Sequence, residues 1–144
     1  DPDEDLERMK GAQNHTWADI DRDGDLDLLV GGRDQGGGRP NFLFRNDIGQ
    51  KNGWLAIELE GDGSQINRDA FGTRVTIHWD DGLLMKEKKS SRGMYNSEDT
   101  RVLHFGLGER NCDYTVEVRW PDGSTSEYGP HEVPPGEFTL IQYP

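Results

Sequence analysis

Aspartate occupies every second position of the segment 19–27, at Asp19, Asp21, Asp23, Asp25 and Asp27. Calcium is a hard cation that takes about six to eight oxygen ligands at about 2.3–2.6 Å. Gly24 permits a sharp turn after the third aspartate, so the carboxylates can fold around one centre. We therefore predict one Ca²⁺ ion in this loop. Four aspartates supply side-chain ligands and Asp25 supplies its backbone carbonyl.

The register of this loop follows from its match to an EF-hand. Positions 19–24 match the first six positions of an EF-hand loop, but the twelfth position is Val30, where an EF-hand needs a bidentate glutamate. Asp27, at the ninth position, can close the shell instead. A register shifted by two would place Leu26 where the turn glycine belongs. The alternatives are a solvated acidic turn without metal, which mutual repulsion disfavours, and Mg²⁺, which prefers a smaller octahedral shell.

The elements around this loop are predicted to be short strands. Residues alternate with a period of two at Leu55, Ile57 and Leu59, and again at Val116, Val118 and Trp120. Asp81-Gly82 and Asp122-Gly123 indicate hairpin turns. The predicted strands are 15–20, 27–32, 41–46, 54–60, 73–79, 83–89, 101–105, 114–120, 125–128 and 137–142. We predict an all-β fold, because no stretch has helical periodicity over three turns.

Composition narrows the class of partner. The 144 residues hold 28 acidic and 16 basic side chains, for a formal net charge of −12. This charge repels nucleic acid and anionic membrane surfaces, so we do not expect nucleic-acid binding. No apolar run approaches about 18 residues, so we do not expect membrane insertion. A single cysteine, Cys112, excludes a disulfide within the chain and leaves the compartment and the role of this thiol open.

Two stretches resemble known families. The segment ADIDRDGDLDLLVGG, followed by NFLFRN, resembles an FG-GAP/VCBS repeat, a calcium-bound propeller blade. The rest resembles the ASPIC/UnbV domain of bacterial exported proteins and cartilage acidic protein. Four motifs carry that resemblance, at 52–55 (NGWL), 67–75 (NRDAFGTRV), 104–108 (HFGLG) and 118–123 (VRWPDG). A propeller needs several blades, whereas only one partial repeat is present.

The resemblance implies an organisation and a function. It predicts a calcium-binding repeat (13–50) and a β domain (51–144), preceded by a segment (1–12) that its own composition marks as an acidic N-terminal tail. The fold expected is a propeller-blade-like calcium-loop hairpin unit packed with a β-sandwich-like domain. The function expected is a non-catalytic, calcium-stabilised structural or interaction module, placed outside cells, on their surface or in the periplasm. Its expected partner is protein: a second copy joined through exposed strand edges, or a neighbouring domain of a larger chain.

Other functions stay open. Trp54, Trp79 and Trp120 would favour a carbohydrate- or matrix-binding domain if exposed, but the last two share the parity of core residues and are predicted to be buried. A carboxylate-dependent hydrolase would need an acid–base pair from Asp69, Asp80, Asp81 and Glu98, and no spacing selects one. The run 67–69 is predicted to form a turn held by side-chain-to-backbone bonds, with a polar binding surface or a second cation site in 51–144 as the alternative.

Overall fold

The chain folds into strands, as its alternating pattern predicts. The structure, a computed structural model, describes residues 9–34, 41–91 and 100–144. Over these residues the protein is all-β, and one 3-10 turn, Gly49–Lys51, accompanies the strands. The strands are β1 (Met9–Ala18), β2 (Asp27–Asp34), β3 (Asn41–Phe44), β4 (Gly53–Glu60), β5 (Arg74–Trp79), β6 (Gly82–Glu87), β7 (Val102–Gly108), β8 (Thr115–Arg119), β9 (Thr125–Tyr128) and β10 (Phe138–Gln142).

Each predicted strand overlaps an observed one, and the first differs most. β1 ends at Ala18, so Asp19 and Ile20 belong to the acidic loop rather than to a strand. It also begins at Met9, so part of the predicted N-terminal segment is strand, while residues 1–8 lie outside the described residues. β1 is longer than predicted because it pairs with β2 from Ala18↔Asp27 to Met9↔Asp34, across an irregularity between Lys10 and Asn14.

The described residues divide into two compact units. Those within Asp1–Gln50 and Ser91–Thr100 form the first unit, and those of Lys51–Ser90 and Arg101–Pro144 form the second. In the first unit, β1, β2 and β3 make an antiparallel sheet in the order β1-β2-β3. The acidic loop connects β1 to β2, so the pairing of these strands brings its two ends together.

The second unit is sandwich-like and contains two sheets. One has the order β10-β4-β7, in which β10 runs parallel to β4 and β7 antiparallel to it. The other is antiparallel, with the order β6-β5-β8-β9. The alternating residues of β4 and β8 supply much of one buried cluster, as their period-two pattern predicts, and Trp120 is buried with them. Val75 and Ile77 of β5 belong to the same cluster. Trp79 is partly buried and packs against the same cluster.

The connection between β4 and β5 is held by its own side chains. Asn67 accepts a hydrogen bond from the amide of Phe71 (2.9 Å) and donates one to its carbonyl (3.1 Å). This confirms the predicted side-chain-to-backbone turn. Gly72 follows with φ +90°, a conformation that favours glycine. Gly61 must also be glycine, because an added Cβ would lie 2.2 Å from the carbonyl oxygen of Asn67.

Candidate metal centre

The acidic loop owes its shape to carboxylates that bind nearby backbone amides. Asp19 accepts hydrogen bonds from the amides of Asp23 (3.1 Å) and Gly24 (3.0 Å), one on each carboxylate oxygen. Asp23 accepts one from the amide of Asp25 at 3.1 Å. Arg22 (φ 62°) and Gly24 (φ 98°) take left-handed conformations, which turn the chain back on itself. The loop is therefore built by local bonds that its alternating aspartates provide.

Three of the four predicted side-chain ligands come together. One carboxylate oxygen from each of Asp19, Asp21 and Asp27 lies within 4.8 Å of the others. Oxygens on one calcium ion, each about 2.3–2.6 Å from it, can lie no more than about 5 Å apart. The donor set, three carboxylates, is also the chemistry that calcium prefers. By spacing and by donor type, these residues fit a calcium ion.

Asp27 is the fixed member of this group. It is only 2% exposed, and its two oxygens accept hydrogen bonds from the amides of Ile20 (3.0 Å) and Asn46 (2.9 Å). Each carboxylate oxygen has two lone pairs, so these bonds orient the group and leave acceptor capacity for a cation. Asp21, in contrast, is exposed. The group thus combines a buried carboxylate held by two backbone amides with a solvent-exposed one.

The two remaining aspartates lie outside this group. Asp23 uses a carboxylate oxygen for the loop bond to Asp25. The side chain of Asp25 is 4% exposed and accepts a hydrogen bond from the amide of Gly49 at 3.0 Å, so it ties the loop to the segment after β3. Sequence reasoning gave Asp25 only a carbonyl role and did not foresee this structural role for its side chain.

The segment after β3 is a part of the site that sequence reasoning missed. The Asn46 amide binds Asp27, and the Gly49 amide binds Asp25. An added Cβ at Gly49 would lie 2.7 Å from the Cβ of Asp25, so only glycine allows this approach. The signal in the sequence was the run Asn46-Asp47-Ile48-Gly49, whose residue types favour a turn at the end of the predicted strand 41–46.

Charge crowding is visible at Asp21. Desolvation, followed by the charges of Asp23 and Asp27, raises the pKa of the Asp21 carboxyl above its usual value. The positive charge of Arg45 acts in the opposite direction, although this guanidinium also pairs with Asp47 at 2.9 Å. A divalent cation between the carboxylates would relieve this repulsion far more effectively than one arginine.

Other candidate residues are dispersed. Asp81 pairs with Arg110 at 3.0 Å, Asp69 lines a cavity of the second unit, and Glu98 lies outside the described residues. Trp54 is 8% exposed, and its ring stacks on His104 with 5.9 Å between centroids. The thiol of Cys112 is exposed, and a hydrogen bond with Asp113 raises its pKa.

Comparison with known proteins adds a match over the second unit. A family model described as ASPIC and UnbV matches residues 63–144, more than half of the chain. The match begins beyond the acidic loop. A search among curated proteins gives no match. Within the residues that the structure describes, no helix is long and apolar enough to cross a membrane.

Proposed function

The chain belongs to the ASPIC/UnbV family, and from that premise we propose that it is a calcium-stabilised, non-catalytic interaction module that works outside the cytoplasm. The observation that carries the proposal is the grouping of Asp19, Asp21 and Asp27, whose oxygens lie within 4.8 Å of one another. In this proposal Asp23 and the carbonyl of Asp25 supply further oxygens. Calcium acts structurally, by neutralising a loop that otherwise repels itself.

The expected affinity bears on location. Extracellular calcium modules bind with dissociation constants of about 0.1–1 mM, a concentration found outside cells and not in cytosol. A loop with one exposed ligand, Asp21, belongs in this weaker class, because high-affinity sites need a rigid and complete shell. We therefore place the module at the cell surface, in the extracellular medium or in the periplasm.

The finer part of the proposal concerns the first unit, which we assign as a single FG-GAP/VCBS-like repeat. The support is its three-stranded antiparallel sheet, with the aspartate loop between the first two strands. Apolar residues lie on both faces. Val30 and Phe42, which are cross-strand partners, are buried on one face. Leu29 and Leu43, partners on the other face, are 38% and 56% exposed. A sheet that is apolar on both faces suits a position between other sheets.

The proposed partner is protein. β6 is an edge strand of its sheet and exposes three consecutive apolar residues, Leu83 (59%), Leu84 (41%) and Met85 (50%). Exposed apolar edge strands recruit further strands, so we propose that a second copy pairs with β6. Glycan binding by stacking on Trp54 or Trp120 is disfavoured, because both side chains are buried.

Calcium binding is tested by isothermal titration calorimetry. The wild type should bind one calcium ion per chain in the submillimolar to millimolar range. Asp21→Asn should weaken binding at least about tenfold, because it removes a charged ligand. Asp80→Asn, an exposed aspartate in the turn between β5 and β6, is the matched control and should bind as the wild type does. Equal binding by both variants would refute the assignment of the loop.

Self-association is tested by light scattering over a range of protein concentrations, in calcium. The wild type should form dimers or larger species, and the double variant Leu83→Lys with Met85→Lys should remain monomeric. Leu43→Lys, an equally exposed leucine in the first unit, is the control. If Leu43→Lys alone dissociates the assembly, the partner binds the first unit rather than β6. A strictly monomeric wild type would contradict self-association altogether.

A further inference from the structure

The second unit contains a cavity of about 460 Å³, within the range typical of small-molecule sites. It is lined by parts of β4 and β10, by the connection between β4 and β5, and by residues that follow β6 and precede β7. Six charged residues line it: Glu58, Glu60, Asp69, Arg68, Lys88 and Arg101. In a chain where acids greatly outnumber bases, this cavity holds three of each.

Lys88 is the buried charged residue of the cavity wall, and it is only 3% exposed. Its backbone bonds to Thr73 (2.8 Å) and Gly72 (2.9 Å) hold it against the connection between β4 and β5. Its ammonium group donates a hydrogen bond to the carbonyl of Arg101 and lies 5.9 Å from the centre of the Phe71 ring. Burying an ammonium group is costly unless it is compensated. The fold therefore keeps a positive charge in the cavity wall by several specific contacts.

Most of the other charged side chains that line the cavity form no ion pair among the described residues. Among the described residues, the side chains of Glu58, Asp69, Arg68 and Arg101 take part in no ion pair or hydrogen bond. Arg68 and Asp69 are adjacent in sequence and still do not pair. Glu60 differs, because it accepts a hydrogen bond from the side-chain amide of Gln142 at 2.7 Å. Two guanidinium groups and two carboxylates are thus available to a ligand.

We propose that this cavity binds a small zwitterion, one that carries both a carboxylate and an ammonium group, as in a free amino acid or a short peptide. Arg68 and Arg101 offer the forked donors that recognise a carboxylate, and Lys88 adds a fixed positive charge. Glu58 and Asp69 accept from the ammonium group. A metal cation would leave the three basic residues without a partner, and a phosphate would leave the three acidic ones without a partner, whereas a zwitterion matches both signs. Leu140, which is 54% exposed, gives the ligand an apolar contact.

The test is a titration followed by isotope-edited NMR of the backbone amides, on the full chain. The probes are leucine and leucyl-leucine, with N-acetylleucine, which lacks the ammonium group, and leucinamide, which lacks the carboxylate. We expect saturable shifts around the cavity for at least one zwitterion and much weaker binding of both blocked analogues. Preference for leucine would identify a free amino acid as the ligand, and preference for leucyl-leucine a peptide.

Variants assign the two ends of the ligand. Arg101→Gln should weaken zwitterion binding about tenfold or more but leave the binding of leucinamide, which has no carboxylate, unchanged. Glu58→Gln should weaken zwitterion binding by a similar factor but leave the binding of N-acetylleucine, which has no ammonium group, unchanged. Arg119→Gln, an exposed arginine on β8 of the other sheet, is the control for loss of charge alone. No response to either zwitterion, blocked analogues that bind equally well, or a response to glucose instead would overturn the proposal. The proposal would also be overturned if Arg101→Gln weakened zwitterion binding no more than Arg119→Gln does.

Discussion

Replacing Asp21 by asparagine should change the stability of the protein in opposite directions with and without calcium. In chelator, the Asp21 charge is opposed by desolvation and by the charges of Asp23 and Asp27. A carboxyl whose pKa is higher in the folded than in the unfolded protein stabilises the folded state at pH values below the unfolded pKa, which is about 3.8. That contribution to stability is lost as the pH rises. At neutral pH the wild type therefore carries a repulsion that Asp21→Asn removes, and the variant should melt at or above the wild-type temperature.

In calcium the wild type should melt at a higher temperature than Asp21→Asn. The size of this difference follows from how strongly calcium binds the folded state. Calcium at a tenfold excess over its dissociation constant stabilises by about 1.4 kcal/mol, and at a hundredfold excess by about 2.7 kcal/mol. The acidic loop belongs to the first unit, which has the size of a small domain. For a domain of 60–100 residues, 1 kcal/mol shifts the melting temperature by about 4–8 °C. The wild type should gain about 6 °C or more at the lower excess. A variant with tenfold weaker binding, at the same calcium concentration, keeps only about 0.4 kcal/mol.

The assay is thermal unfolding followed by circular dichroism, with calcium and with excess chelator, at neutral pH. Asp80→Asn, placed in the second unit, should melt with the wild type in both conditions. The reasoning would be refuted if Asp21→Asn melted lower than the wild type in chelator and gained as much from calcium. That pattern would mean that Asp21 stabilises the apo loop and takes no part in binding.

Two further predictions concern pH. Hydrogen bonds from the Ser64 hydroxyl and then the Ile66 amide lower the pKa of Asp62 to about 2, so its contribution to stability is present above about pH 4 and is lost as the pH falls toward 2. Denaturant unfolding should show Asp62→Asn less stable than the wild type at neutral pH and equal to it near pH 2; a constant difference would contradict this. Burial raises the pKa of Tyr114 to about 12, and its hydroxyl donates to the Val133 carbonyl at 2.6 Å. Its contribution is present below about pH 10 and is lost as the pH rises toward 12, so Tyr114→Phe should cost about 1 kcal/mol at neutral pH and show less alkaline destabilisation. Denaturant unfolding measures the change in stability, and phenolate absorbance follows the ionisation of Tyr114. If the alkaline transition of Tyr114→Phe equals that of the wild type, the assigned role of Tyr114 is contradicted.

The strands and local turns were readable in the sequence because their causes are local. Alternation at Leu55, Ile57 and Leu59 requires one buried face, whatever the partner strand is, and all three side chains are buried. The Asn67 turn and the left-handed Gly72 follow from residue types acting over a few positions. The acidic loop is similar, since its aspartates bind amides only two to five residues away.

Tertiary structure decided which of these local pieces meet. Asp27 is fixed by Asn46, and Asp25 by Gly49, across separations of 19 and 24 residues that no local pattern encodes. The parallel pairing of β10 with β4 joins strands from opposite ends of the second unit, and it places Leu140 beside Glu58.

The burial of Lys88 is the clearest example of a feature that only tertiary structure decides. In sequence it is one of three lysines within the predicted strand 83–89, yet it is buried and binds the Arg101 carbonyl. Hydrophobic periodicity assigns a lysine to solvent by its type alone. Only the packing of Phe71 and the approach of the residues before β7 create the site that compensates its charge. The sequence thus determined the elements and the chemistry of the acidic loop, and long-range packing determined the residues that hold it and the cavity of the second unit.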